Sequence, residues 1–156
     1  MKRFQEIFDA IPSGAYLEGK WVGATDAKHF EVMSPSTGEK VHQVADTSQS
    51  QWAQALESSV TAFNEWSQTT AETRSDALRK LYDVATARQE EIAAIISLES
   101  GKPFKEGLGE AKYGTSFLRW YSELIMAQRG EFELAPSGEY WMVTTKHPIG
   151  PTLLIT

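Results

Sequence analysis

Leu98-Glu99-Ser100-Gly101-Lys102-Pro103 is the stretch on which the fold turns. Upstream of it, Ile92, Ile95, Ile96 and Leu98 recur at helical spacing. Gly101 therefore stands where a helix closes, because glycine takes the left-handed backbone of a C-terminal cap without steric cost. Downstream, Pro103 suits a first helical turn, where its missing N–H is no loss. Tyr113, Phe117, Leu118, Trp120, Tyr121, Leu124 and Ile125 then carry a second helical pattern towards Gly130. Gly107, Gly109 and Gly114 lie inside that pattern, each at a cost of about 1 kcal/mol relative to Ala. Close packing against another element would account for them, and so would a functional surface near the backbone.

Working back from this corner, Leu78, Leu81, Tyr82 and Ala85 mark an earlier helix, with Arg74, Arg79 and Lys80 outside it. Before that, Trp52, Leu56, Val60, Phe63 and Trp66 form one apolar helical face. Ser48 with Gln51 predicts a capping box at its start, and Thr69 with Glu72 repeats the signal for the next helix. Trp66, Leu78, Leu81, Ile92, Ile95 and Ile96 are the expected helical core. On that expectation Leu81→Ala costs ~2–5 kcal/mol. Residues 15–45 read instead as small antiparallel strands. Glu18-Gly19 is a two-residue hairpin turn between Ala15-Tyr16-Leu17 and Lys20-Trp21-Val22, and the turn at Ser34-Pro35-Ser36-Thr37-Gly38-Glu39 separates two further strands. Residues 1–14 form an amphipathic arm on Phe4, Ile7, Phe8 and Ile11, stopped by Pro12-Ser13-Gly14.

Beyond Gly130 the period returns to two. Residues 140–145, Tyr-Trp-Met-Val-Thr-Thr, are rich in β-branched and aromatic side chains and predict a strand. Thr152-Leu153-Leu154-Ile155-Thr156 is a continuous apolar run of the kind buried on both faces of a sheet. Such a strand needs neighbours, so the expectation is that these residues are the front part of something longer. The fold class read from this order is α/β.

The 156 residues carry 15 Lys and Arg against 21 Asp and Glu, a net charge of -6. That balance argues against nucleic acid and against an anionic membrane surface as partner. No apolar run approaches the ~20 residues of a membrane span, and the charged start has no apolar segment of a secretory signal, so a cytoplasmic location is the default expectation. With no cysteine in the sequence, disulfides, thiolate metal ligands and a thiol nucleophile are excluded within these residues.

Few constellations suggest chemistry. His29, His42 and His147 fall in separate elements, so no metal site is expected. Gly101-Lys102 is not a phosphate-binding loop, because Ile96 and Pro103 stand where Gly and Ser or Thr are needed. Gly107-Leu108-Gly109 lacks the third glycine of a dinucleotide fingerprint, since position 112 is Lys, and it follows no strand. Glu106 and Glu110 share a helical face, which reads as an acidic helix start. The aromatic residues at 113–121 read as core or as the lining of a hydrophobic pocket.

Five ordered stretches resemble the N-terminal part of the NAD(P)-dependent aldehyde dehydrogenase superfamily. Leu17-Glu18-Gly19-Lys20-Trp21-Val22 is similar to its "ING-x-W" hairpin, and Ser34-Pro35-Ser36-Thr37-Gly38-Glu39 to "NPATGE". Phe63-Asn64-Glu65-Trp66 with Arg74 and Leu78 resembles "A-F-x-x-W…R…L". Leu98-Glu99-Ser100-Gly101-Lys102-Pro103 resembles "L-E-x-G-K-P", and His147-Pro148-Ile149-Gly150 to Ile155-Thr156 resembles "x-P-x-G-x-x-x-x-I-T". Gly109-Glu110, Tyr113, Ser116-Phe117, Trp120-Tyr121 and Glu123 resemble the succinate-semialdehyde dehydrogenase branch.

The resemblance implies an arm (1–14), the hairpins and helices of a Rossmann-like cofactor domain (15–130), one strand of an oligomerisation hairpin (131–150) and a first strand of the cofactor sheet (151–156). It implies that Ile155 and Thr156 touch the cofactor, NAD or NADP, and that Tyr113 and Phe117 stand at the mouth of the substrate tunnel. Homo-oligomers through 140–145 and a small aldehyde substrate follow from it as well. No catalytic residue is implied within these positions. The family's cysteine, its general-base glutamate and most of its cofactor site lie beyond the matched stretch, so tight cofactor binding and turnover are not expected of these residues alone. The alternative is a non-catalytic structural or oligomerisation module derived from the same family.

Overall fold

The computed structural model describes residues 2–155, and only the backbone of Lys2, Arg3 and Gln5. The elements are α1 (Lys2–Asp9), β1 (Ala15–Leu17), β2 (Lys20–Val22), β3 (His29–Met33), β4 (Lys40–Ala45), α2 (Gln49–Trp66), α3 (Ala71–Ala87), α4 (Gln89–Ser100), α5 (Phe104–Ala127), β5 (Glu131–Leu134) and β6 (Trp141–Thr144). The strands pair as three separate antiparallel ribbons, β1 with β2, β3 with β4 and β5 with β6. Glu18 (φ 51°) and Gly19 (φ 78°) both take positive φ in the first turn. That is the geometry whose twist matches a tight hairpin.

Ser48 caps α2 as its spacing predicts. Its hydroxyl accepts from the Gln51 N–H, and Gln51 Oε1 accepts from the Ser48 N–H at 3.0 Å. Gln51 is itself buried, and its Nε2 donates to the Gly23 carbonyl at 2.8 Å. The cap thus also pins the strand region to the helix. Ser48→Ala is expected to cost about 1 kcal/mol, read as a lower urea midpoint at unchanged slope. A midpoint equal to that of the parent would show that α2 does not depend on this cap.

The expected cap at Thr69 is corrected by one residue. Thr70 caps α3, accepting from the Thr73 N–H at 3.1 Å. Thr69 closes α2 instead: its hydroxyl donates to the Trp66 carbonyl at 2.7 Å, and its own carbonyl receives the Arg74 guanidinium. Gly101 closes α4 in the left-handed region (φ 73°), donating to the Ser97 carbonyl at 3.0 Å. Pro103 is the cap residue just before α5 rather than part of its first turn.

The core differs from the one expected from periodicity. Helix α5 packs on α3 and α4, and what it buries is small: Gly107, Ala111, Thr115 and Ser122, with Ala93 and Ala94 buried on α4. Trp66 and Leu81 are exposed, and Leu78, Ile92, Ile95 and Ile96 are only half-buried. Periodicity identifies an apolar face but not what covers it, and among the described residues Trp52, Leu56, Val60 and Trp66 of α2 and Leu81 and Val84 of α3 stay exposed. Gly107 has the packing role foreseen for the helical glycines. A Cβ there would sit 2.7 Å from Ser97 Oγ and 2.8 Å from the Ala93 carbonyl oxygen. Gly109 and Gly114 face open space, and nothing in the structure explains them. The arm α1 docks Phe8, fully buried, edge-on to His42 at 6.0 Å, while Phe4 stacks on Phe104 at 5.3 Å.

The last ribbon has two strands where the sequence predicts one. Glu131-Phe132-Glu133-Leu134 alternates strictly, and Phe132 pairs with Val143 and Leu134 with Trp141. One ribbon face is therefore Phe132, Leu134, Trp141 and Val143, all exposed. Residues 151–155 form no ladder, and Leu153, Leu154 and Ile155 are exposed. The buried strand expected there has no sheet to join among the described residues. Thr156 lies outside them. Among the described residues no helix is long and apolar enough to cross a membrane.

Candidate functional site

Packing decides which face of α5 is free. Its small residues are turned to α3 and α4, so Tyr113, Phe117, Trp120, Tyr121 and Leu124 form a stripe on the outside. This is the reverse of an ordinary surface helix, which turns its large apolar residues inward. Tyr113 is 67% exposed and Phe117 41%, yet the two rings hold each other edge to face, with centroids 4.8 Å apart and planes at 80°. The structure thus brings together the two residues expected at the substrate tunnel. They present an apolar wall with one phenol hydroxyl at its edge.

A charged cluster flanks the stripe. Glu123 accepts from Arg119 Nε at 3.0 Å and lies 3.6 Å from Arg79 Nη1, and the Arg79 guanidinium stands over the Tyr82 ring at 5.8 Å. The hydrogen bond from Arg119 to Glu123, and then the carboxylate's charge, raise the Arg119 pKa above its ordinary value. The cluster carries two cations and one anion, and it is the spacing of Arg119 and Glu123 along α5 that places them one turn apart.

The other residues singled out in the sequence do not converge on this face. Ile155 is 86% exposed, in a segment without a ladder partner among the described residues. Glu110 is paired with Lys102 beside the α4–α5 corner. The histidines have three separate settings: His29 Nδ1 on the Ala27 carbonyl at 2.9 Å, His42 against Phe8, and His147 Nε2 on the Thr145 hydroxyl at 2.8 Å. A groove beside the β1–β2 turn is lined by Glu18, Gln54, Glu57, Ser58 and Glu65. Its carboxylates make it a poor seat for an anionic substrate. The Arg119–Glu123 pair and β5 are features that the sequence reading passed over. The i, i+4 charge spacing and the strict alternation of 131–134 were the signals for them.

The comparisons with known proteins agree with this architecture. The sequence model of the aldehyde dehydrogenase family matches residues 21–156. The chain belongs to that family. It is 38% identical over 140 residues to the mitochondrial succinate-semialdehyde dehydrogenase of Arabidopsis thaliana, an alignment covering 90% of this chain and 26% of the relative. The chain therefore spans about a quarter of the length of that relative. Among solved structures it superposes on a succinate-semialdehyde dehydrogenase from Burkholderia pseudomallei with a TM-score of 0.80 at 34% identity, covering 88% of this chain and 28% of that one. A betaine aldehyde dehydrogenase from Staphylococcus aureus, solved in complex with NAD+, shares the fold with a TM-score of 0.81 at 23% identity, over 86% of this chain and 27% of that one. The three ribbons and the helices match the N-terminal part of the aldehyde dehydrogenase fold.

Proposed function

We propose that these residues form the N-terminal part of an NAD(P)-dependent aldehyde dehydrogenase that oxidises a short semialdehyde, succinate semialdehyde first, to the carboxylate. The observation that carries the reading is the family match over 21–156, joined to kinship with enzymes named for succinate semialdehyde. In this reading Tyr113 and Phe117 wall the path of the aldehyde, excluding water from one side of a short aliphatic chain. NAD or NADP, bound by the whole enzyme with Ile155 and Thr156 among its contacts, would supply the hydride acceptor. Ile155 and Thr156 take up their place at the cofactor only once the run 151–156 is a strand in a larger sheet. The apolar face of the β5–β6 ribbon, with the strand edge at 140–145, is the surface through which copies of the enzyme assemble.

The test is to express the full gene product that carries these residues and to supply succinate semialdehyde with NAD+ and with NADP+, following reduced nicotinamide by absorbance. The expected result is turnover with one of the two cofactors. No reduced nicotinamide with either, from folded protein, would remove the enzymatic reading. Such a preparation that still self-associated would favour a non-catalytic assembly module, for which the two-faced ribbon is the supporting observation.

A further inference from the structure

The wall formed by Tyr113 and Phe117 is placed only as well as the helix that carries it. About half a turn round α5 from both rings, Thr115 is buried. Its hydroxyl donates to the Ala111 carbonyl at 2.9 Å and accepts from Gln89 Nε2 at 3.0 Å. Gln89 is the first residue of α4, so this bond ties the start of α4 to the turn of α5 that bears the two rings. Two turns earlier, Gly107 supplies a second fixed point. The space a Cβ would need is taken by Ser97 Oγ and by the Ala93 carbonyl oxygen, which is backbone. Helix α5 therefore lies as close to α4 as glycine permits.

Gly107 sets the separation of the two helices, and the Gln89–Thr115 bond sets where along α4 the turn 113–117 falls. A helix moves as a stiff unit, so a displacement at either point is carried to the rings. We infer that Thr115, Gln89 and Gly107 are positioning residues for the Tyr113–Phe117 wall and thereby set the length of the ω-carboxy aldehyde that the site accepts. The inference rests on the reading above that this wall faces the substrate. None of the three is part of the exposed stripe, so each acts through the rings. The leverage is adequate: a displacement of about 1 Å can cost a hundredfold in rate, and one methylene in an apolar site is worth about 10–200-fold in discrimination.

The test compares succinate semialdehyde with glutarate semialdehyde, one methylene longer, in the full gene product and in Thr115→Val, Gln89→Met and Gly107→Val. The ratio of kcat/KM for the two aldehydes is expected to shift ~3–10-fold in these variants, through KM. Thr115→Ser, which keeps the hydroxyl, is expected to hold the parent ratio within about twofold. Where Gly107→Val fails to fold, Thr115→Val and Gln89→Met carry the comparison. A purely structural role would lower the folded fraction and so the apparent kcat for both aldehydes alike, with KM and the ratio unchanged, and that result would overturn the inference alone. A parent protein that turned over neither aldehyde would overturn the functional reading, and this inference with it.

Discussion

Phe8→Ala is expected to be the most destabilising single truncation in the chain. Phe8 is 1% exposed and is the largest fully buried side chain among the described residues. Removing a buried phenylalanine ring costs ~3–5 kcal/mol, partly lost transfer free energy and partly the cavity left behind. Its surroundings cannot close easily over that cavity, because His42 meets the ring edge-on from β4 and α4 backs the arm. Yet α1 is a short terminal helix, and isolated helices of this length are marginal in water. Once the ring is gone, the arm can detach while α3, α4 and α5 stay packed. The loss measured by urea therefore cannot exceed the free energy with which the arm docks. Amide hydrogen exchange separates the two cases. Local release predicts that protection is lost at 2–11 and kept in α5, and a deletion of residues 1–11 should be no less stable than Phe8→Ala. Global loss predicts that protection in α5 falls in step. A denaturation midpoint equal to the parent's would show that Phe8 does not hold the arm.

The arm, the first two hairpins and the helices are legible in the sequence because each is a local matter. The capping box at Ser48 and Gln51, the left-handed Gly101 and the Glu18-Gly19 turn are satisfied by atoms a few residues away. The core is not legible in the same way. The hydrophobic pattern marks Trp66 and Leu81 as apolar-face residues, and so they are, but burial depends on a partner surface, and the described residues provide none for them. The α5 seam is hidden from pattern reading for the opposite reason. Gly107, Ala111, Thr115 and Ser122 carry little hydrophobic signal, although close approach of two helix backbones requires residues of that size. The candidate site sits between these limits. The spacing of Tyr113 and Phe117 shows that they share a face, and only the packing of the small residues shows that this face is outward. Nothing local could place Ile155 against a cofactor, because a strand acquires its surroundings from its neighbours in the sheet.

The largest functional effect concerns the 156 residues expressed as an isolated polypeptide, which are expected to form no reduced nicotinamide from succinate semialdehyde with either NAD+ or NADP+. The sequence contains no cysteine, so no thiolate is available to attack the carbonyl. A hydroxyl could substitute only with an activating base held against it and a third group holding the base. Among the described residues, the pair that comes nearest is Thr145 and His147, with Oγ1 and Nε2 2.8 Å apart. Both residues are exposed, in a segment outside any element, two positions apart. Water there solvates hydroxyl and imidazole alike, and nothing excludes it while an aldehyde waits. Attack by an alcohol under those conditions gives at most a hemiacetal in exchange with solvent, and oxidation still requires a nicotinamide seated within hydride reach. The measurement is absorbance of reduced nicotinamide in protein purified from a host lacking its own aldehyde dehydrogenases, with the full gene product as positive control. Turnover by the isolated 156 residues that disappears in Thr145→Val or His147→Ala would assign chemistry to that exposed pair. Turnover that survives both substitutions would place a nucleophile elsewhere in the described fold.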